Sequence, residues 1–167
     1  MSETPQLPTT AIDSVADPNA IATNDPLGAN TETWFEYPVR AYPHHTDYGG
    51  VVWHGTYLTW MEEARVECLR SMGINFADLV KLGCDLPVIE MSIRYHRAMR
   101  LGEEALVKTR TIGLAGVKIN WDYKIQAPQE KDLYLTGRVT LVAIDREKGK
   151  IMRQLPPTVK DILMKII

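Results

Sequence analysis

Three of the four histidines fall within one stretch, HHTDYGGVVWHGTYLTW, which begins at His44 and ends at Trp60. The same stretch holds a single carboxylate, Asp47, and a glycine pair, Gly49 and Gly50. A metal site would need ligands at a spacing that converges on one ion. His44, His45, Asp47 and His54 follow no zinc spacing such as HExxH, so no metal is expected. Carboxylate catalysis would use Asp47 as a nucleophile or as a general base toward water. An ordinary polar turn would use the same carboxylate to accept a hydrogen bond from its own backbone. The glycine pair serves either purpose, because it lets the chain turn sharply and approach a ligand closely. On residue types alone both readings of Asp47 stay open. His54 reads as an assistant to the carboxylate or as a helix-start residue with one structural hydrogen bond, and His44 and His45 read as exposed loop residues.

What Asp47 can do depends on the elements that hold it. In TYLTWMEEARVECLRSMG the residues Leu58, Met61, Ala64, Cys68, Leu69 and Met72 recur at helical spacing. Thr56 is the expected N-cap and Gly73 the expected residue just past the C-terminus. The helix would have about 17 residues and be roughly 25 Å long. Glu62, Glu63, Arg65, Glu67 and Arg70 fill much of its remaining surface, so one face should be buried and the other wet. Its N-terminus would carry unpaired N–H groups and the positive end of the helix dipole. A short second helix is expected with Asn75 as N-cap, Asp78 three residues on and Gly83 as stop, and a last one opens at Thr158 with Asp161 after Pro156 and Pro157.

The remainder is strand-like. Trp34 to Tyr42 is aromatic and β-branched, with Pro38 pointing to an edge or a bulge. From Val88 to His96, Ile89, Met91, Ile93 and Tyr95 alternate with polar residues, as in a sheet with one covered face. Glu104 to Leu114 alternates more weakly. Val117, Ile119, Trp121, Tyr123 and Ile125 alternate most clearly, and Leu133 to Ile144 is apolar on both faces over its latter half, as a central strand would be. The short connections GLAG, 127–132 and 145–150 suit hairpins. The simplest arrangement is α+β: five antiparallel strands, the last four in a meander, wrapped over one long helix.

The chain has 167 residues, 45% of them hydrophobic and 24% charged, with a net charge of −2. That balance fits one core, and the lack of a long basic run argues against nucleic acid or an anionic membrane surface as partner. Residues 1–33 carry five acids and no Lys or Arg. Such a segment buries too little apolar surface to offset its chain entropy and is expected to be disordered, which leaves 34–167 as the folded domain. Cys68 and Cys84 are too few for a disulfide framework and read as buried thiols in a reducing compartment. With no run of roughly 18 apolar residues and no signal-peptide pattern, a cytoplasmic protein without membrane insertion is expected.

The order of elements and the segment FEYPVRAYPHHTDYGGVVWHGTYLTWMEEAR resemble the hotdog-fold acyl-CoA thioesterases of the 4-hydroxybenzoyl-CoA thioesterase type. The chain looks most similar to the bacterial branch associated with the Tol-Pal system, in which a strand runs into a T-D-x-x-G-V-V-x-H-x-x-Y-L segment. Here that segment is Thr46, Asp47, Gly50, Val51, Val52, His54, Tyr57 and Leu58. The likeness continues through SMGI at 71–74 and from Tyr95 into MRLGEEALVKTRT, covering about residues 34–157. That branch carries a tyrosine where this chain has Pro43 and an acid where it has His45.

The resemblance implies an antiparallel hotdog sheet around the long helix and a homodimer or homotetramer with acyl-CoA in a groove between subunits. It implies thioester hydrolysis with Asp47 as catalytic carboxylate, His54 as assistant and a backbone N–H at the helix start meeting the carbonyl. Gly49, Gly50, Val51 and Val52 would lie along the substrate, and Tyr57, Trp60 and Met61 could line the acyl pocket. Arg94 and Arg97, with Arg100, Lys108, Arg110 and Lys118 nearby, lie where CoA phosphates could be met. Acyl-CoA would be substrate and no cofactor is expected. Two rival readings are a hotdog dehydratase or hydratase acting on acyl thioesters, and a non-catalytic hotdog dimer that binds an acyl carrier protein or another partner.

Overall fold

The computed structural model describes residues 33–129 and 131–164. The acidic segment expected to be disordered lies outside them, apart from Thr33. Strand β1 (Phe35–Arg40) leads through a 3-10 turn at Pro43–His45 to the long helix α1 (His54–Ser71), the short helix α2 (Phe76–Lys81) and the two-residue strand β2 (Cys84–Asp85). Next come β3 (Val88–Tyr95), β4 (Glu104–Ala115), β5 (Lys118–Gln126), β6 (Leu133–Val142), the short β7 (Ile144–Asp145) and β8 (Lys150–Ile151), and helix α3 (Pro157–Leu163). Five strands form one antiparallel sheet, in the order β1-β4-β5-β6-β3, against which α1 packs. The expected α+β layout is present.

Alternation decides which strand faces meet the helix. On β5 the side chains of Ile119, Trp121, Tyr123 and Ile125 are each 1% exposed or less, and on β4 Ala105, Val107, Thr109 and Thr111 turn the same way. From α1 they meet Met61, Ala64, Cys68 and Leu69. Each large apolar side chain so buried contributes about 1.5–3 kcal/mol. Arg65 departs from the expected wet face. It is 5% exposed, and its Nη1 donates to the Tyr123 hydroxyl at 2.9 Å.

The sheet is not the simple meander expected of its last four strands. β4, β5 and β6 are consecutive neighbours, but β3 pairs with β6 at the far edge, so the segment 96–103 must cross the end of the sheet to reach β4 beside β1. Met99, fully buried, anchors that crossing strap in the core. The covered face expected for β3 is also missing: Val88, Ile89, Met91 and Tyr95 are all 40% exposed or more, and β3 ends the sheet with no strand beyond it among the described residues.

The long helix begins earlier than Thr56. Trp53 is its N-cap and has no side-chain cap hydrogen bond, while the Thr56 hydroxyl donates to the His45 carbonyl at 3.0 Å and ties the first turn to the preceding loop. At the other end Gly73 adopts φ +85° and follows the C-cap Met72, as its position just past the helix requires. The Asn75 side chain accepts from the Ala77 N–H at 3.0 Å and caps α2.

Candidate active site

Asp47 stands on a tight loop between the 3-10 turn and α1. Thr46 bridges Val52 in antiparallel fashion, the Asp47 N–H donates to the Val51 carbonyl at 2.9 Å, and the Gly50 N–H returns to the Asp47 carbonyl at 3.0 Å. Gly50 takes φ +72°, which a side-chain-bearing residue rarely adopts, so this turn needs glycine. The Asp47 side chain accepts from the Gly49 N–H at 2.8 Å. It is exposed, and Tyr48 beside it projects wholly into solvent.

The crossing strap fixes this loop from beneath. Val51 bridges Arg100, the Val52 N–H donates to the Met99 carbonyl at 2.8 Å, and the Leu101 N–H donates to the Gly50 carbonyl at 3.2 Å. Val52 is buried and Val51 half-buried, so they hold the loop more than they offer surface. The pairing of β3 with β6 rather than β4 therefore matters to the site, because a β3–β4 hairpin would leave no strap for the loop to rest on.

Directly after this loop the first turn of α1 opens. The Thr56 N–H bonds back to the Trp53 carbonyl at 2.9 Å, but Trp53 brings no side-chain acceptor to the N–H groups of His54 and Gly55. Those donors, at the positive end of an 18-residue helix, suit a developing negative charge. The His54 imidazole is exposed and packs on the Trp53 indole, with ring centroids 4.7 Å apart. A Cβ on Gly55 would lie 2.0 Å from the Trp53 ring, so the indole occupies the space a side chain would need. Sequence reading passed over Trp53 and Gly55; a glycine in the first turn of an otherwise well-formed helix was the available signal.

Tyr57, Trp60 and Met61 are largely packed inward, although Met61 and Trp60 each still reach the wall of a groove. They are 3%, 3% and 1% exposed and belong to the core. The Tyr57 hydroxyl accepts from the Met99 N–H at 3.2 Å, and its ring meets Tyr95 edge-on with centroids 5.6 Å apart. Burial pushes the Tyr57 phenol above its usual range. The Tyr95 hydroxyl in turn donates to the His54 carbonyl at 3.3 Å. His45 is partly buried rather than free in a loop: its ring meets the edge of Trp60 at 5.1 Å, and its carbonyl takes the Trp53 N–H at 3.0 Å. His44 is exposed.

Of the basic candidates, Arg94 is exposed on β3, and Arg97 on the strap is exposed and paired with Asp132. Lys108 pairs with Glu36 at 3.0 Å on the other edge of the sheet, and Arg110 lies over the Trp34 ring, 4.4 Å from its centroid. These two belong to the charged outer face of the sheet, not to the Asp47 loop. A groove of about 570 Å³ runs along α1, with Leu58, Met61, Arg65, Val88 and Met91 among its walls. A second, of about 560 Å³, lies against β1 and includes Tyr42, His44, His45 and Trp60. Asp47 lines neither and stands exposed on the surface of the chain.

A family model described as the thioesterase superfamily matches residues 49–140. The chain belongs to the hotdog thioesterase superfamily. It is a thioester hydrolase of α+β hotdog fold. The Synechocystis protein named "Putative esterase sll0410" is 54% identical over 165 residues, covering 99% of this chain and 97% of that one. The acyl-CoA thioester hydrolase YbgC of Escherichia coli is 31% identical over 127 residues, covering 76% of this chain and 93% of its own. The solved structure of the DHNA-CoA thioesterase from Staphylococcus aureus superposes with a TM-score of 0.74 at 27% identity, over 80% of this chain and 90% of that one. The superfamily match begins just after Asp47 and takes in the glycine turn, the N-terminus of α1, the strap and most of the sheet.

Proposed function

We propose that this hotdog thioesterase hydrolyses small or medium acyl-CoA thioesters to the free acid and CoA, with Asp47 as the reacting carboxylate. The observation that carries the reading is the joint placement of two chemically opposite groups. The Asp47 carboxylate sits on a loop closed by the Thr46–Val52 bridge. The His45 carbonyl just before that loop takes the Trp53 N–H and the Thr56 hydroxyl at the start of α1, whose N-cap has no side-chain hydrogen bond. A thioester carbonyl between carboxylate and helix start would meet a nucleophile or a base-activated water on one side and the His54 and Gly55 N–H groups on the other. In one course Asp47 attacks, the C–S bond breaks, CoA leaves as thiolate, and water cleaves the resulting anhydride. In the other, Asp47 takes a proton from water as that water attacks the carbonyl, the C–S bond then breaks, and CoA leaves as thiolate while Asp47 gives the proton up again. Thiolate departs readily, so His54 need only orient or hydrogen-bond, and no cofactor is called for.

The groove along α1 and the bare β3 edge support a second copy completing the site. Val88 and Met91 line that groove, and with Ile89 and Tyr95 they leave an apolar strand edge exposed. An unpaired edge of this kind is a template for pairing with another strand. We propose a homodimer, alone or paired into a tetramer, with acyl-CoA between subunits and Arg94 and Arg97 near its phosphates. The finer likeness to the 4-hydroxybenzoyl-CoA type and the Tol-Pal-associated branch rests on the T-D-x-x-G-V-V-x-H-x-x-Y-L segment. The test is thiol release from a panel of aliphatic and aromatic acyl-CoAs, with an acyl carrier protein thioester alongside and Asp47→Asn as control. No cleavage by the wild type, or full activity in the variant, overturns the proposal.

A further inference from the structure

We infer that Tyr95 is a positioning residue for thioester hydrolysis, holding the His54–Gly55 peptide so that its N–H faces the reacting carbonyl. The inference deepens the thioesterase reading and rests on it. It starts from the geometry of one peptide unit. The His54 carbonyl and the Gly55 N–H belong to the same planar group and point in opposite directions. In the first turn of α1 the carbonyl points along the helix and the N–H out of its N-terminus. Tyr95 donates to that carbonyl at 3.3 Å, from β3 rather than from the helix itself. A hydrogen bond at one end of a peptide unit polarises it and strengthens the donor at the other. The same bond resists rotation of the peptide, so the N–H keeps its aim as charge develops on the carbonyl oxygen.

Three neighbours brace this arrangement. The Tyr95 ring meets the edge of Tyr57, and the Tyr57 hydroxyl is tied to the Met99 N–H on the strap that carries the Asp47 loop. Tyr95 thus links the helix start to the segment that sets Asp47. On the other side the Trp53 indole fills the Cβ space of Gly55 and confines that residue further. Burial pushes the Tyr95 phenol above its ordinary value, so it remains a donor through the neutral range.

The experiment compares Tyr95→Phe with Tyr95→Leu in the full chain. Phe keeps the ring against Tyr57 and loses only the hydroxyl. Tyr95→Phe should lower kcat roughly three- to tenfold with KM and melting temperature unchanged, the size expected for one hydrogen bond. Tyr95→Leu should lose as much in kcat and lower the melting temperature as well. A packing role predicts the opposite, a Phe variant with wild-type kcat, and that result overturns the assignment. A second readout does not depend on turnover. In glycine-labelled protein the Gly55 amide resonance should shift upfield in Tyr95→Phe, and an unmoved resonance equally overturns the role. Failure of the wild type to cleave any acyl-CoA would instead strike the thioesterase reading, so the two failures are distinguishable.

Discussion

The Asp47 carboxylate accepts a hydrogen bond from the Gly49 N–H at 2.8 Å, so the candidate catalytic group also closes its own turn. A Cβ on Gly49 would come within 3.0 Å of the same Oδ1. The two readings of Asp47 that residue types left open are therefore compatible, since one oxygen can serve the turn while the other faces solvent.

That sharing separates two substitutions. Asn keeps an oxygen for the Gly49 N–H but supplies neither a nucleophile nor a base, so Asp47→Asn should keep its melting temperature and lose at least about a hundredfold in kcat. Asp47→Ala removes the turn bond too and should cost a further ~1 kcal/mol of stability in urea unfolding. If the Asn variant keeps wild-type activity and the Ala variant loses only stability, Asp47 belongs to the turn alone.

Local pattern made some of this legible in the sequence and long-range contact hid the rest. The buried face of β5 and the apolar stripe of α1 could be read because periods of 2 and 3.6 are written in neighbouring residues. The start of α1 could not, because the Thr56 hydroxyl that looked like a cap is taken by the His45 carbonyl, eleven positions earlier. Arg65 looked like a surface charge because its partner Tyr123 lies 58 positions away. The neighbours of β3 were invisible for the same reason: alternation tells which faces a strand has, not which strand it joins. Asp47, its glycine turn and the following helix are contiguous, and so the core of the candidate site was readable while the strap beneath it was not.

Gly55 tests how tightly the helix start is packed. Alanine there would place Cβ 2.0 Å from the Trp53 ring, so Gly55→Ala should destabilise by about 1–3 kcal/mol or expel the indole. Combining it with Trp53→Ala removes the clash and leaves alanine in a helix, where it is favoured over glycine by up to ~1 kcal/mol. Thermal melting should rank the double variant above Gly55→Ala alone. The reverse order would mean that the indole does not rest on Gly55.

Cys68 gives a pH dependence with a definite sign. Burial pushes its thiol from 9.0 up to about 12. Below pH 9 the thiol is protonated in folded and unfolded chains alike, and its contribution is fully present. As pH rises from about 9 toward 12 the unfolded chain releases a proton that the folded chain keeps, so stability falls. Cys84 is raised in the same direction by burial and by Asp85, and the buried Tyr123 adds to the loss above pH 10. Urea midpoints measured at pH 8, 9 and 10 should decline over the last step, and Cys68→Ala should flatten that decline. An unchanged slope in the variant would show that Cys68 is not the group responsible.

Arg65 and Tyr123 should behave as one unit. The guanidinium is buried, donates to the Tyr123 hydroxyl through Nη1, and has no partner for Nε among the described residues. Tyr123→Phe keeps the ring and strands more of the charge, so it should cost about 1–3 kcal/mol despite removing only one oxygen. Arg65→Met removes the charge and leaves the phenol with its Thr109 hydrogen bond but without the guanidinium. The double variant replaces both polar groups by apolar ones of similar volume and should recover much of the loss, because an unpaired buried charge is worse than no charge at all. A double-mutant cycle in urea should therefore give a coupling of at least about 1 kcal/mol. Additive effects would mean that the guanidinium reaches solvent or another partner once Tyr123 is changed, and that the burial of Arg65 does not depend on this bond.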